Sequence, residues 1–255
     1  MLTYQIVHDT EEKRQGRVYK EIKKRQMILQ GGKPYTKETA EMLRAQTTLH
    51  WVWSDFVLDG SLLTKEETER LLQGELLPNA SLQEHSRAAF CEEMIHCMGD
   101  LLRLEIDLDL KTLNKLYGYY NGTQSAEYRS ENPVLPQLNY APLHFKEIEA
   151  EMKKLFYWSF SKEAPDNVLE LSAILHNRIA EIYPYGADSF AMARTAAQYT
   201  LMRNGLPAVF WDLKEQEYYG LMRPYMEKKD ILPMYRFLER SVYNRQEVLL
   251  QLMEE

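Results

Sequence analysis

From Ser189 to Met202 the chain carries one ionised side chain, Arg194, set among Phe190, Ala191, Met192, Ala193, Ala196, Ala197 and Leu201. A helix that is apolar on all sides has no face to offer water, so it must be enclosed by other elements. An unpaired arginine in such a place costs several kcal/mol even after relaxation, so Arg194 must meet an anion or reach solvent. The start of the same helix, in "YPYGADS", offers free N–H groups and the positive end of a helix dipole, both of which favour an anion. The residues alone leave two readings open. Either an internal carboxylate pairs with Arg194, or the arginine and the helix start bind a phosphate-like ligand.

The neighbours that must enclose this helix are themselves legible. Thr64-Lys-Glu-Glu67 and Ser81-Leu-Gln-Glu84 fit the capping box and predict two helix starts. The first helix holds Leu71 and Leu72 and ends near Gly74, and the second carries Phe90, Met94, Ile95 and Met98 at helical spacing. Before them "TAEMLRAQTTLHWVWSDFVL" reads as a long helix stopped at Asp59-Gly60, and a further helix is expected over 109–119, ended by the turn in "YYNGTQ". The stretch 121–142 lacks a helical period and suits a short hairpin or surface loop. Helices resume in "FKEIEAEMKKLFYWSF" and in "DNVLELSAILHNRIAEI", which Pro184 terminates. Asp188 or Ser189 is expected to cap the apolar helix, with Gly205 and Pro207 closing it and two amphipathic helices following from 215. The pattern is all-α, with no internal repeat or clear linker, and predicts a single domain over residues 1–255.

With 255 residues and 45% hydrophobic content the chain can bury a substantial core. A net charge of -7 argues against a nucleic-acid binder, which needs a basic surface. Lys13, Arg14, Arg17, Lys20, Lys23, Lys24 and Arg25 alternate with glutamates and read as a solvated helix face rather than a polyanion-binding arm. Neither a signal-peptide pattern nor an apolar run of about 18 residues is present, so a cytoplasmic protein with no membrane partner is expected. Cys91 and Cys97 read as reduced thiols. Glu92 and His96 lie one helical turn apart, but lack the further ligands that make a metal site.

The segment "YPYGADSFAMAR" resembles, without gaps, the Fic (Fido) family motif HPFx(D/E)GNGRxxR. Tyr183 stands at the histidine, Pro184 matches, Tyr185 replaces phenylalanine, and Arg194 falls on the last arginine. "SDFVLDGSLLTKEETERLLQG" is similar to the family's inhibitory-helix stretch, and "SLQEHSRAAFCEEMI", "AEYR", "LNYAPLHFKEIEAEMKKLFYW" and "LMRNGLP" resemble its later landmarks in order. The resemblance covers about 36–240. It implies a Fic-like helical bundle with a small β-hairpin flap, preceded by an N-terminal helical extension.

Fic proteins typically transfer AMP from ATP to a hydroxyl of a target protein, with Mg²⁺ on the phosphates. The resemblance therefore implies a nucleotide cofactor such as ATP with Mg²⁺, a target docking at the flap near 135–145, and a ligand cavity lined by Tyr183, Tyr185, Asp188, Ser189 and Arg194. The departures bear on the chemistry. A phenol at Tyr183 is a poorer base than imidazole. Ala187 stands at the metal-binding acid, leaving Asp188 as the candidate ligand. Asp188-Ser189-Phe190-Ala191 replaces Gly-Asn-Gly-Arg, adding bulk and a negative charge where backbone amides would cradle an anion. A degenerate Fic-fold protein is the first reading. A transferase with altered chemistry through Asp188, or an interaction module without ligand chemistry, are the alternatives. The resemblance also places Asp59 at the inhibitory glutamate, predicting an Asp59–Arg194 pair, with Asp55 one turn earlier as the other partner. His176 reads as a helix-packing residue.

Overall fold

The computed structural model describes residues 2–32, 34–123 and 125–254, and the side chains of these save 2–15 and 254. Lys13, Arg14 and Gln124 of the segments discussed above fall, in side chain or whole, outside the described residues. Ten α-helices are found among the described residues: α1 Leu2–Gly31, α2 Lys37–Leu58, α3 Lys65–Leu72, α4 Leu82–Arg103, α5 Leu110–Tyr120, α6 Ile148–Ser159, α7 Val168–Ile182, α8 Ser189–Arg203, α9 Glu215–Lys228 and α10 Leu232–Glu254.

Local chemistry sets most of these boundaries. Thr64 and Ser81 form the two capping boxes, each hydroxyl accepting from the N3 backbone while Glu67 and Glu84 return a bond to the cap. Asp109 caps α5 by accepting from Thr112 N–H, and Thr36 does the same for α2 through Thr39. Gly60, Gly74 and Gly205 follow helix ends at φ +84, +83 and +76, where a Cβ would be strained.

Every residue of α8 from Ser189 to Leu201 is buried, as its composition requires. α7 packs along it most extensively, the two joined by the short turn 183–188, while α4 and α5 also close on α8. α10 covers α7, and α1 lies along α10, where the Arg25 guanidinium sits 3.8 Å over the Tyr243 ring. Arg17, Lys20 and Lys24 are exposed, while Lys23 and Arg25 are half-buried. No helix among the described residues is long and apolar enough to cross a membrane. Cys91 is buried and Cys97 half-buried, both as free thiols.

The expected hairpin is reduced to one antiparallel bridge, Leu135 with Tyr140, joined by two backbone bonds of 2.8 and 3.2 Å. Pro133, Pro136 and Pro142 remove the donors a longer ladder would need. Asn139 turns the chain in the left-handed region at φ 48.

Candidate functional site

The turn between α7 and α8 is built from a strained residue and its supports. Tyr183 ends α7 at φ 54, an uncommon conformation for a residue with a bulky side chain, and Pro184 follows it. Arg129 holds this geometry from outside: its Nε donates to Tyr183 O at 2.9 Å and its backbone N–H to Pro184 O at 2.8 Å. In the sequence Arg129 stands out only within the family-like stretch "AEYR", because nothing local says which backbone it will clamp.

Tyr185, Asp188, Ser189 and Arg194 each make internal polar contacts, and the Tyr183 ring packs against Phe190. The Tyr185 hydroxyl donates to Asn114 Oδ1 at 2.7 Å, and its ring packs 4.1 Å from that of Tyr117. Ser189 is fully buried and its Oγ accepts from Tyr185 N–H at 2.9 Å. The expected cap of α8 is absent: Asp188 occupies the N-cap position without a side-chain cap bond. Its carboxylate is drawn sideways to Arg87 of α4 at 2.9 Å, with the Tyr117 hydroxyl at 3.3 Å. Arg87, which the sequence reading missed, also lies 4.3 Å over the Tyr120 ring.

Arg194 is 1% exposed and does meet an anion. The predicted Asp59–Arg194 pair is present as a longer ion pair of 3.9 Å, but the close partner is Asp55, to whose Oδ1 Nε and Nη2 both donate, at 2.8 and 2.6 Å. The reason is position on α2. Asp55 is inside the helix and buried against α4, while Asp59 is the C-cap residue, whose side chain turns to the rim and is 45% exposed. Burial pushes the Asp55 carboxyl up and Arg194 opposes it. A guanidinium does not lose its proton in a protein, so the Arg194 side of the pair stays charged. Partial loss of hydration beside the buried pair pushes the Asp59 carboxyl up to about 6, opposed by Arg194 and reinforced by Asp55. A cleft of about 300 Å³ opens beside it, between Phe56, Ser61, Glu84 and Arg87.

Behind the arginine lies a polar chain that avoids charge. His176 is fully buried, its Nδ1 3.1 Å from Asn177 Oδ1 and its Nε2 2.7 Å from the Tyr218 hydroxyl. A neutral imidazole donating to Asn177 and accepting from Tyr218 satisfies both contacts. Burial drops its pKa to about 3.

Residues 107–201 match the model of the Fic/DOC family. More than nine-tenths of the chain also superposes on solved Fic structures. Fic-1 from C. elegans aligns with TM-score 0.81 at 16% identity, covering 98% of this chain and 74% of that one. The chain has the Fic fold. A Fic domain-containing signalling protein from Bacteroides thetaiotaomicron aligns at 0.77 with 20% identity, covering 93% of this chain and 98% of its own. A Fic family protein from Desulfovibrio desulfuricans aligns at 0.71 with 15% identity over 92% of this chain and 74% of the other. No match was found among curated proteins.

Within the Fic fold, the turn that the motif resemblance picked out lies at the start of the central helix. Its chemistry is set by the residues present. Burial pushes the Tyr183 phenol above its ordinary value, which keeps it protonated at neutral pH. A cation at Asp188 would have to displace the Arg87 guanidinium, which already takes up the carboxylate at 2.9 Å. The residues at the turn do not fit a Mg²⁺ site.

Proposed function

We propose that this chain keeps the Fic scaffold without nucleotidyl transfer, its pocket at the α7–α8 turn held shut by its own side chains. The observation that carries this reading is the commitment of Arg194, the one charged motif residue retained, to Asp55 in the dry interior. Three further features support it. A protonated phenol stands where the family has its base, and losing a general base typically removes about 10²- to 10⁴-fold in rate. Asp188 faces Arg87. Phe190 fills the position of a cradle glycine, its ring packed 5.3 Å from that of Tyr183.

The test is incubation with labelled ATP, GTP and CTP, with and without Mg²⁺, of the wild type and Asp55→Asn. The wild type is expected to show no label transfer and little nucleotide binding. Asp55→Asn releases the Arg194 charge and is expected to raise nucleotide affinity without restoring transfer. Mg²⁺-dependent labelling by the wild type would overturn the proposal in favour of a transferase working through Asp188.

A further inference from the structure

At the junction of α2, α3 and the segment before α9, away from the α7–α8 turn, an amine, an imidazole and a carboxylate stand in line. Lys65 Nζ is hydrogen-bonded to His50 Nε2, and His50 Nδ1 faces Asp212 Oδ1 at 3.6 Å. The ring cannot swing away. Phe210 stacks on one face at 3.9 Å with the planes 5° apart, Trp53 meets its edge at 6.2 Å, and Arg245 lies 4.5 Å over Phe210 from the other side.

The polarity of this line is determined by its ends. An ammonium has only protons to give, so His50 Nε2 is the acceptor and Nδ1 carries the hydrogen. The neighbour facing Nδ1 is Asp212 Oδ1 at 3.6 Å, just beyond ordinary hydrogen-bond length, and this contact with His50 is the chief cause that holds the Asp212 carboxyl below the usual range. A second proton on the imidazole would bring the two together. Lys65 is the first helical residue of α3, and its side chain is only half-buried. Asp212 is 56% exposed, so the site is open to a solute.

We propose that Lys65 is a self-acylation site, which takes an acyl group from an acyl phosphate without a separate enzyme. The Lys65 nitrogen attacks the carbonyl carbon, the N–C bond forms, and the C–O bond to phosphate breaks with its electron pair leaving on the phosphate. The ammonium loses two protons in all. One passes through His50 Nε2 to solvent and the other ends on the departing phosphate. Asp212 is a positioning residue, which orients the ring and stabilises the imidazolium formed in passing.

The test is a time course of the full chain in millimolar acetyl phosphate at neutral pH, with acetylation at each lysine followed by peptide mass spectrometry. Lys65 is expected to react at least about tenfold faster than exposed Lys162 and Lys228, a modest share of what a placed base supplies. His50→Gln should bring Lys65 down to their rate and leave Lys162 and Lys228 unchanged, which also reports that the fold is intact. Should His50→Gln not fold, Asp212→Asn at an exposed position carries the test, with a smaller fall at Lys65 alone. A Lys65 rate within about threefold of Lys162, or one unmoved by both substitutions, overturns the proposal.

Discussion

Two ion pairs of nearly equal length show how little distance says about consequence. Arg194 and Asp55 meet at 2.6 Å with side chains 1% and 4% exposed, and Arg70 and Glu75 meet at 2.8 Å with side chains 53% and 47% exposed. The surface pair gains little, because water solvates each partner nearly as well as the other does. The buried pair joins α2 to the central helix, and each charge there has given up its hydration. Its importance lies less in attraction gained than in what would remain if one partner were removed.

The largest effect follows directly. Asp55→Ala strands the Arg194 guanidinium in the core and is expected to destabilise the protein by about 3–5 kcal/mol in denaturant unfolding. The double substitution Asp55→Leu with Arg194→Met should recover most of that loss. If the single variant costs under about 1 kcal/mol, the interior is wetter than the burial of Arg194 indicates, and the contrast between the two pairs fails.

His176 sharpens the contrast from another side, since it is as buried as Arg194 but uncharged. Its pKa in the fold, about 3, lies below the ordinary histidine value of roughly 6.5. As pH falls below 6.5 the unfolded chain takes up a proton that the native chain refuses, so stability is lost towards acid, by at most about 1.4 kcal/mol per pH unit from this group. Asp59 acts with the opposite sign. Its native carboxyl is raised to about 6, so its contribution improves as pH falls through that value. His176→Gln should therefore flatten the acid limb of a stability–pH profile, and an unchanged limb would assign it elsewhere. Smallest of all, Arg70→Ala is expected to change unfolding free energy by no more than about 0.5 kcal/mol, and a loss comparable with that of Asp55→Ala would erase the comparison.

The helices were legible because their causes are short-range. Thr64 with Glu67 and Ser81 with Glu84 satisfy their caps within three residues, and the apolar stripe of α4 needs only its own spacing to be read. The flap was read less well, since the number of bridges depends on prolines acting together across 133–142. At the site, the need of Arg194 for an anion was legible and its choice of Asp55 over Asp59 was not. Arg87, Asn114 and Arg129, which take up Asp188, Tyr185 and the Tyr183 backbone, carried no local signature at all.

By itself, the sequence determined that a nearly uncharged helix must sit at the centre of a helical bundle, and that its one guanidinium must be neutralised there. Only the tertiary structure decided which carboxylate does so, across 139 residues of chain, and that the turn above it is occupied by its own neighbours. Hydrophobic spacing and capping act over a few residues and leave their mark in order along the chain. The partner of a buried charge is chosen by which side chain packing brings near and strips of water, a choice made between helices.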